Sequence, residues 1–284
     1  MKTGLVVEGG GMKCVYSAGI LDRLIDEGIT FDECIGVSAG AANTASFVAG
    51  QRGRNLRYYI EHPKDPEYCG VKQYLLHGNY FNLPYIYGDL TNEGGKDPLD
   101  YDAVMKNPAE FLITATDADT GDVRYFSKKE VPRNDYRAIM AGCAIPALCK
   151  PIHIDGHTYY DGGVADSIPL QKILDDGCEK VVLLLENPRS FIRPPQKFKA
   201  AYHFLLRKYP KVAEMIDTRY LRYRECLKWV YEMEKTGKIF VFAPPENTGV
   251  STRTVDVSLL TKLYEAGIAD FNRRFGELLR YLQE

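Results

Sequence analysis

Apolar positions at 4–7 stop abruptly at Glu8 and three glycines, predicting a strand over 4–8 that runs into a glycine loop. The pattern then switches to a helical period over 12–27, ended by Gly28. A second apolar strand at 33–37 meets a sharp turn and a helix over 39–49. Strands alternating with helices predict an α/β fold, a mostly parallel sheet with helices on both faces. Between 51 and 108, Tyr, Asn, Gly and Pro break every period, which predicts short helices in a long irregular insertion.

The run FLITATDADTG at 111–121 restores a strand ending in a turn, and DVRYFS at 122–127 reads as its hairpin partner. YRAIMAGCAIP is a helix stopped by Pro146. HIDGHTYYDGG carries a hairpin turn at Asp155-Gly156 and a strand ending at Asp161. A helix over 168–176, capped by Gly177, leads to the strand KVVLLL at 180–185, and the sheet is expected to be complete by about residue 186. NPRSFIRPPQKF is a proline-punctuated linker, 197–236 is helical in composition, and KIFVFA at 238–243 is a returning strand. A final helix over 258–283 aligns Leu260, Leu263, Tyr264, Phe271, Phe275, Leu278 and Leu282 on one stripe. The expected division is an α/β core over 1–186 and a mainly helical C-terminal extension over 187–284 packed on it.

With 284 residues, the chain can build one large domain, or one domain and an appendage, around a well-filled core. Its 45% hydrophobic and 26% charged residues exclude disordered and fibrous classes, and a net charge of -2 gives no field to gather nucleic acid. Seven scattered cysteines without a C-x-x-C pair give no zinc pattern and fit a reducing compartment. No stretch resembles a signal-peptide core, and no run reaches the ~18 apolar residues of a membrane span. A soluble, cytoplasmic protein without metal or cofactor is the expectation.

Candidate chemistry starts at Gly36-Val37-Ser38-Ala39-Gly40, a G-x-S-x-G pattern between a predicted strand and a predicted helix. A turn this tight needs small residues around the serine and lifts its hydroxyl above the sheet edge, so Ser38 is a candidate nucleophile. The helix start behind it would favour a developing alkoxide. The plainer reading is a serine that only turns a corner. A serine needs a base, yet after residue 157 the chain has only His203, in the predicted extension. Asp161 fits better, because it ends a strand and Gly162-Gly163 let the chain turn away without covering the carboxylate. Its alternative role is to cap the next turn.

The first glycine loop has two candidate uses. A dinucleotide loop wants a third glycine where Cys14 stands, and a Walker loop wants Gly-Lys-Ser/Thr, which is missing. What remains is a row of N–H groups from Gly9, Gly10 and Gly11 that could hold a tetrahedral oxyanion, an effect worth ~2.7–4 kcal/mol per donor. A loop that needs glycine only for its turn is the alternative.

GGGMKC, GVSAG and DGG in this order resemble the patatin-like phospholipases, serine acyl hydrolases with a Ser-Asp dyad. Supporting matches run through FLITATDADTG, GCAIPALCKPI and GHTYYDGGVADSIPL, so the resemblance covers about 4–186 and, less specifically, the C-terminal region of bacterial members. It implies the patatin-like fold, Ser38 as nucleophile, Asp161 as base and Gly9, Gly10 and Gly11 as oxyanion hole. Gly36, Gly40, Lys13, Gly162 and Gly163 would support the elbow and loops. The implied substrate is a lipid ester of phospholipase A or lysophospholipase type. Lys13 and Cys14 stand where the family usually has Arg and Gly, so the loop is expected to differ in shape. A low-activity lipid-binding or regulatory protein on the same fold is the alternative function.

Other polar groups receive plainer roles. His153 and His157 are expected in solvent beside their hairpin, Asp117 and Asp119 in a turn, and Cys14 and Cys143 buried as small side chains. Residues 197–211 place Phe198, Ala201, Tyr202, Leu205 and Tyr209 on one face among Lys197, Lys199, Arg207 and Lys208. Such a face either packs on the core or makes peripheral contact with anionic lipid.

Overall fold

One mixed sheet of eight strands organises the chain in the computed structural model, which describes residues 1–283. The strands are β1 (Thr3–Val7), β2 (Glu33–Val37), β3 (Glu110–Asp117), β4 (Val123–Ser127), β5 (Ile152–Ile154), β6 (His157–Asp161), β7 (Lys180–Leu184) and β8 (Ile239–Phe242). Their order is β5-β6-β3-β2-β1-β7-β8, with β4 also on β3. From β3 to β8 that row is parallel, while β4 and β6 pair antiparallel with β3, and β5 with β6. The helices are α1 (Val15–Asp26), α2 (Ala39–Val48), α3 (Arg54–Ile60), α4 (Val71–His77), α5 (Tyr101–Lys106), α6 (Arg137–Cys143), α7 (Leu170–Asp175), α8 (Lys199–Leu205), α9 (Pro210–Lys235) and α10 (Val257–Gln283).

Strands buried on both faces read as unbroken apolar runs, which is why β1 and β7 stood out. Along β1, Leu5 and Val7 join one core with α1, α2 and α10, and Val6 joins the other with α7 and α9. The helix predicted from residue 12 begins with a single 3-10 turn, Gly11–Cys14, before α1.

The sheet is not complete at residue 186. β8 pairs parallel with β7, Val181 opposite Ile239 through Leu184 opposite Phe242, and α9 forms the crossover between them. Without β8 the outer edge of β7 would present a row of unpaired backbone groups. The insertion over 51–108 contains α3, α4 and α5, and is fastened at Asp97. That buried carboxylate accepts two bonds from Arg57, at 2.7 and 2.8 Å, and lies 3.0 Å from His62 Nε2. The face predicted over 197–211 divides: Tyr202 and Leu206 turn inward, while Phe198, Phe204 and Leu205 stay 81%, 66% and 52% exposed.

Candidate active site

The backbone at Ser38 is forced into an uncommon shape by what surrounds it. Its φ of 54° and ψ of -133° lie outside the regions non-glycine residues favour, a strain of about 1–3 kcal/mol that persists only where neighbours impose it. The imposing contacts are backbone: a Cβ on Gly36 would come 2.3 Å from Ala41 Cα, and one on Gly40 would come 2.5 Å from the Glu8 carbonyl oxygen. Side chains there would push α2 off β1 and β2. Ser38 thus forms the corner between β2 and the N-terminus of α2, and it is 7% exposed.

Sheet register delivers the carboxylate. Val37 pairs with Thr114, and the next residue of β3, Ala115, pairs with Asp161, so Ser38 and Asp161 stand level on either side of β3. Ser38 Oγ donates to Asp161 Oδ2 at 2.6 Å, and Asp161 Oδ1 accepts the Gly163 N–H at 2.8 Å. Asp161 comes from an antiparallel strand, so it reaches the site by register rather than as the carboxyl end of a parallel strand. Gly162 packs on the Thr114 carbonyl, where a Cβ would sit 2.2 Å away. Burial raises the Asp161 pKa, opposed by the Ser38 hydrogen bond, the Arg219 charge and the Gly163 amide.

Between β1 and the 3-10 turn, the glycine loop presses on this corner: a Cβ on Gly9 would lie 2.8 Å from Ser38 Cβ. Among the described residues, the N–H groups of Gly9 and Gly11 have no hydrogen-bond acceptor. The Gly10 amide favours the thiolate of Cys14, although burial dominates and holds that thiol well above its ordinary pKa. Lys13 turns inward and donates from Nζ to Asn187 Oδ1 at 2.5 Å, and burial lowers its pKa. Asn187 also donates to Glu8, which accepts from Tyr223 Oη at 2.7 Å and from the Glu186 N–H at 2.7 Å. A lysine therefore ties the loop to the end of β7 through an amide, with no carboxylate within ion-pair distance among the described residues.

Ser38 and Gly11 border two spaces. One is a narrow, mostly apolar pocket of about 60 Å³ whose walls include Met12, Ala42, Tyr59, Phe81, Ile86 and Ile139. The other is an open cleft of about 640 Å³ that also holds Gly9, Gly10, Gly163 and Asp161. Lys13, Arg193, Lys197, Arg219 and Arg253 line this cleft, and Asp161 is its one acid among the described residues.

The remaining expectations sort cleanly. His153 and His157 are exposed, and His203 pairs with Asp217, remote from Ser38 in bonding terms. Asp117 accepts the N–H groups of Asp119 and Thr120 and so shapes its turn. Cys14 and Cys143 are buried. Glu8, Asn187, Arg193 and Arg219 were not singled out from the sequence. For Glu8 a signal existed, an acid ending an apolar run beside a glycine loop. For Arg219 none did, since only the fold carries α9 to the cleft.

The sequence model of the patatin-like phospholipase family matches residues 5–174, and that of a domain of unknown function, DUF6363, matches residues 209–283. The first match covers more than half of the chain, which therefore belongs to the patatin-like phospholipase family. An uncharacterized Escherichia coli K12 protein, YjjU, is 24% identical over 86% of this chain and 69% of its own length. Lysophospholipase NTE1 of Kluyveromyces lactis is 24% identical over 99% of this chain but 19% of its own length, so the chain spans a minor part of that protein. An uncharacterized NTE family protein of Mycobacterium tuberculosis is 24% identical over 66% of this chain and 31% of its own length. Among solved structures, VipD from Legionella pneumophila superposes with a TM-score of 0.50 at 12% identity, covering 94% of this chain and 65% of that one. That likeness concerns the fold. Family and relatives together indicate lipid hydrolysis at the family level.

Proposed function

We propose that the chain is a serine acyl hydrolase acting on lipid esters of phospholipase A or lysophospholipase type. The observation that carries this reading is the 2.6 Å hydrogen bond from Ser38 Oγ to Asp161 Oδ2 at the mouth of an apolar pocket. Asp161 takes the hydroxyl proton as Ser38 Oγ attacks the acyl carbonyl, and the N–H groups of Gly9 to Gly11 receive the oxyanion, Gly9 and Gly11 with the freest donors. Collapse of the tetrahedral species breaks the ester bond, and Asp161 returns the proton to the leaving alkoxide. A water molecule, deprotonated by the same carboxylate, then releases the fatty acid and restores Ser38.

The substrate is met at a lipid surface in this reading, through exposed apolar side chains of α8 and its basic neighbours. No helix among the described residues is long and apolar enough to cross a membrane. Hydrolysis of a chain-length series of p-nitrophenyl acyl esters tests the dyad directly. Wild type is expected to be active, with Ser38→Ala and Asp161→Asn each reducing kcat by ~10³-fold or more. An inactive wild type, or a Ser38→Ala variant that keeps its rate, would leave lipid binding without turnover as the function.

A further inference from the structure

Two of the cleft's arginines, Arg219 and Arg193, have fewer polar partners than Arg222 on α9. On α9, Arg222 donates to the Val164 and Met215 carbonyls and to Thr218, and Arg224 donates to the Arg193 carbonyl. Arg219, one turn away, has one hydrogen bond, from Nε to Ser167 Oγ at 3.3 Å. Arg219 lines the cleft, and its Nη2 lies 2.8 Å from where a Cβ on Gly163 would be. No carboxylate lies within 4.0 Å of its guanidinium among the described residues. Burial pushes its pKa down to about 10, the mark of a cation held without full compensation.

Arg193 repeats the pattern. Its guanidinium stacks 4.1 Å over the Tyr223 ring, and its buried Nε has no partner. Lys13, also on the cleft wall, faces an amide rather than a carboxylate. Removing charges from water is expensive, and among the described residues none of these three cations has a carboxylate within 4.0 Å; Asp161 and Glu8 act on Arg219, and Glu8 and Glu186 on Lys13, only from farther away, so the cluster keeps capacity for a further anion.

We propose that Arg219, with Arg193 and Lys13, binds the phosphate of an anionic lipid head group, which is the leaving-group half of the substrate. This rests on the hydrolase reading of Ser38 and Asp161 and adds a direction to it. The leaving oxygen must stand where Asp161 can return a proton, and Asp161 lies in the cleft beside Gly163 and Arg219. The acyl chain then takes the apolar pocket on the other side of Ser38. A guanidinium with free terminal N–H groups offers the two-pronged geometry that suits a phosphate.

Binding to a Ser38→Ala protein tests the site without needing turnover. Calorimetric titration would compare dodecyl phosphate, uncharged 1-monolauroylglycerol and inorganic phosphate. Dodecyl phosphate is expected to bind at least ~10-fold more tightly than the uncharged lipid. Arg219→Gln in the same background should remove most of that preference, and Arg219→Lys should keep part of it. Equal affinity for the two lipids, or a preference untouched by Arg219→Gln in folded protein, overturns the proposal. Inorganic phosphate binding as tightly as dodecyl phosphate also overturns it, because the site would then serve the free ion. Arg193→Gln, on a loop outside the helices, carries the same comparison if Arg219→Gln fails to fold. In the Ser38 enzyme, Arg219→Gln should raise KM for 1-lauroyl-lysophosphatidylglycerol more than for 1-monolauroylglycerol. A wild type that hydrolyses neither lipid while the Arg219-dependent preference persists supports the anion site and counts against the hydrolase.

Discussion

In the proposed reaction Asp161 has to be buried to sit on Ser38 and ionised to take its proton, and these demands oppose each other. Burial raises its pKa above the ordinary 3.8, while Ser38, Arg219 and the Gly163 amide pull it back. Activity should therefore fall as pH drops through the raised pKa, with the acid limb of kcat/KM centred above 3.8, as a pH-rate profile on an uncharged ester would show. Arg219→Gln removes a cation that favours the carboxylate, so the same limb should move to higher pH; an unmoved limb would mean that Arg219 does not act on Asp161. The stability sign runs the other way. A carboxyl whose folded pKa is raised loses stability as pH climbs from its unfolded pKa through the folded one, and the whole cost is present once pH exceeds the folded pKa. Asp161→Asn removes the charge but can still accept the Gly163 N–H. It should abolish hydrolysis while leaving Tm at pH 7 no lower than wild type, the trade expected if the buried charge serves the proposed reaction at a cost in stability.

At the level of elements, the crossing of α1 and α10 turns on two glycines. A Cβ on Gly267 would meet the Tyr16 carbonyl oxygen at 2.2 Å, and one on Gly19 would meet the Tyr264 carbonyl oxygen at 2.3 Å, so the helices touch backbone to backbone. Gly276, nine residues along α10, is exposed and has free space at its Cβ apart from the tip of Arg280. The same substitution should thus change sign along one helix: Gly267→Ala destabilises by about 1–3 kcal/mol, and Gly276→Ala stabilises by about 0.5–1 kcal/mol, read by urea unfolding. Much of α10 was legible, since Leu260, Leu263, Tyr264, Phe271 and Leu278 are buried as the stripe predicts. Gly267 was not, because close backbone approach has no hydrophobic signature. Tyr281 was missed because its hydroxyl binds backbone at Val181 and Lys238, a tertiary errand invisible in a period. The same division holds at the site. The glycine loop, the Ser38 corner and Asp161-Gly162-Gly163 were readable because each is a local turn problem with few solutions. Arg193 and Arg219 were not, because their meeting with Ser38 depends on where α9 returns.

On the scale of the whole molecule, the chain beyond residue 186 finishes both the sheet, through β8, and the cleft, through residues between 193 and 219 together with Thr252 and Arg253. It also supplies half of an exposed apolar margin. Phe198 and Leu205 line the cleft and Phe204 stands next to them, while α4 shows Val71, Leu75 and Leu76 at 68%, 77% and 64% exposure. Tyr74 ties α4 to the cleft wall by donating to the Ala147 carbonyl at 3.0 Å, which brings α4 next to that wall. Scattered apolar side chains need no explanation, but large ones gathered at the mouth of a lipid-sized cleft, near exposed Lys197, Arg207 and Lys208, match an anionic lipid surface. Co-sedimentation should therefore be stronger with phosphatidylglycerol vesicles than with phosphatidylcholine vesicles, and should weaken with added salt as the basic contribution is screened. Replacing Leu75, Leu76 and Phe204 together by serine should lower the bound fraction several-fold with both lipids, since apolar insertion does not depend on charge. These side chains are exposed, so Tm should stay close to wild type. Undiminished sedimentation of the triple variant, or none by the wild type with either lipid, would mean that this margin does not dock on lipid and that the substrate reaches Ser38 from solution.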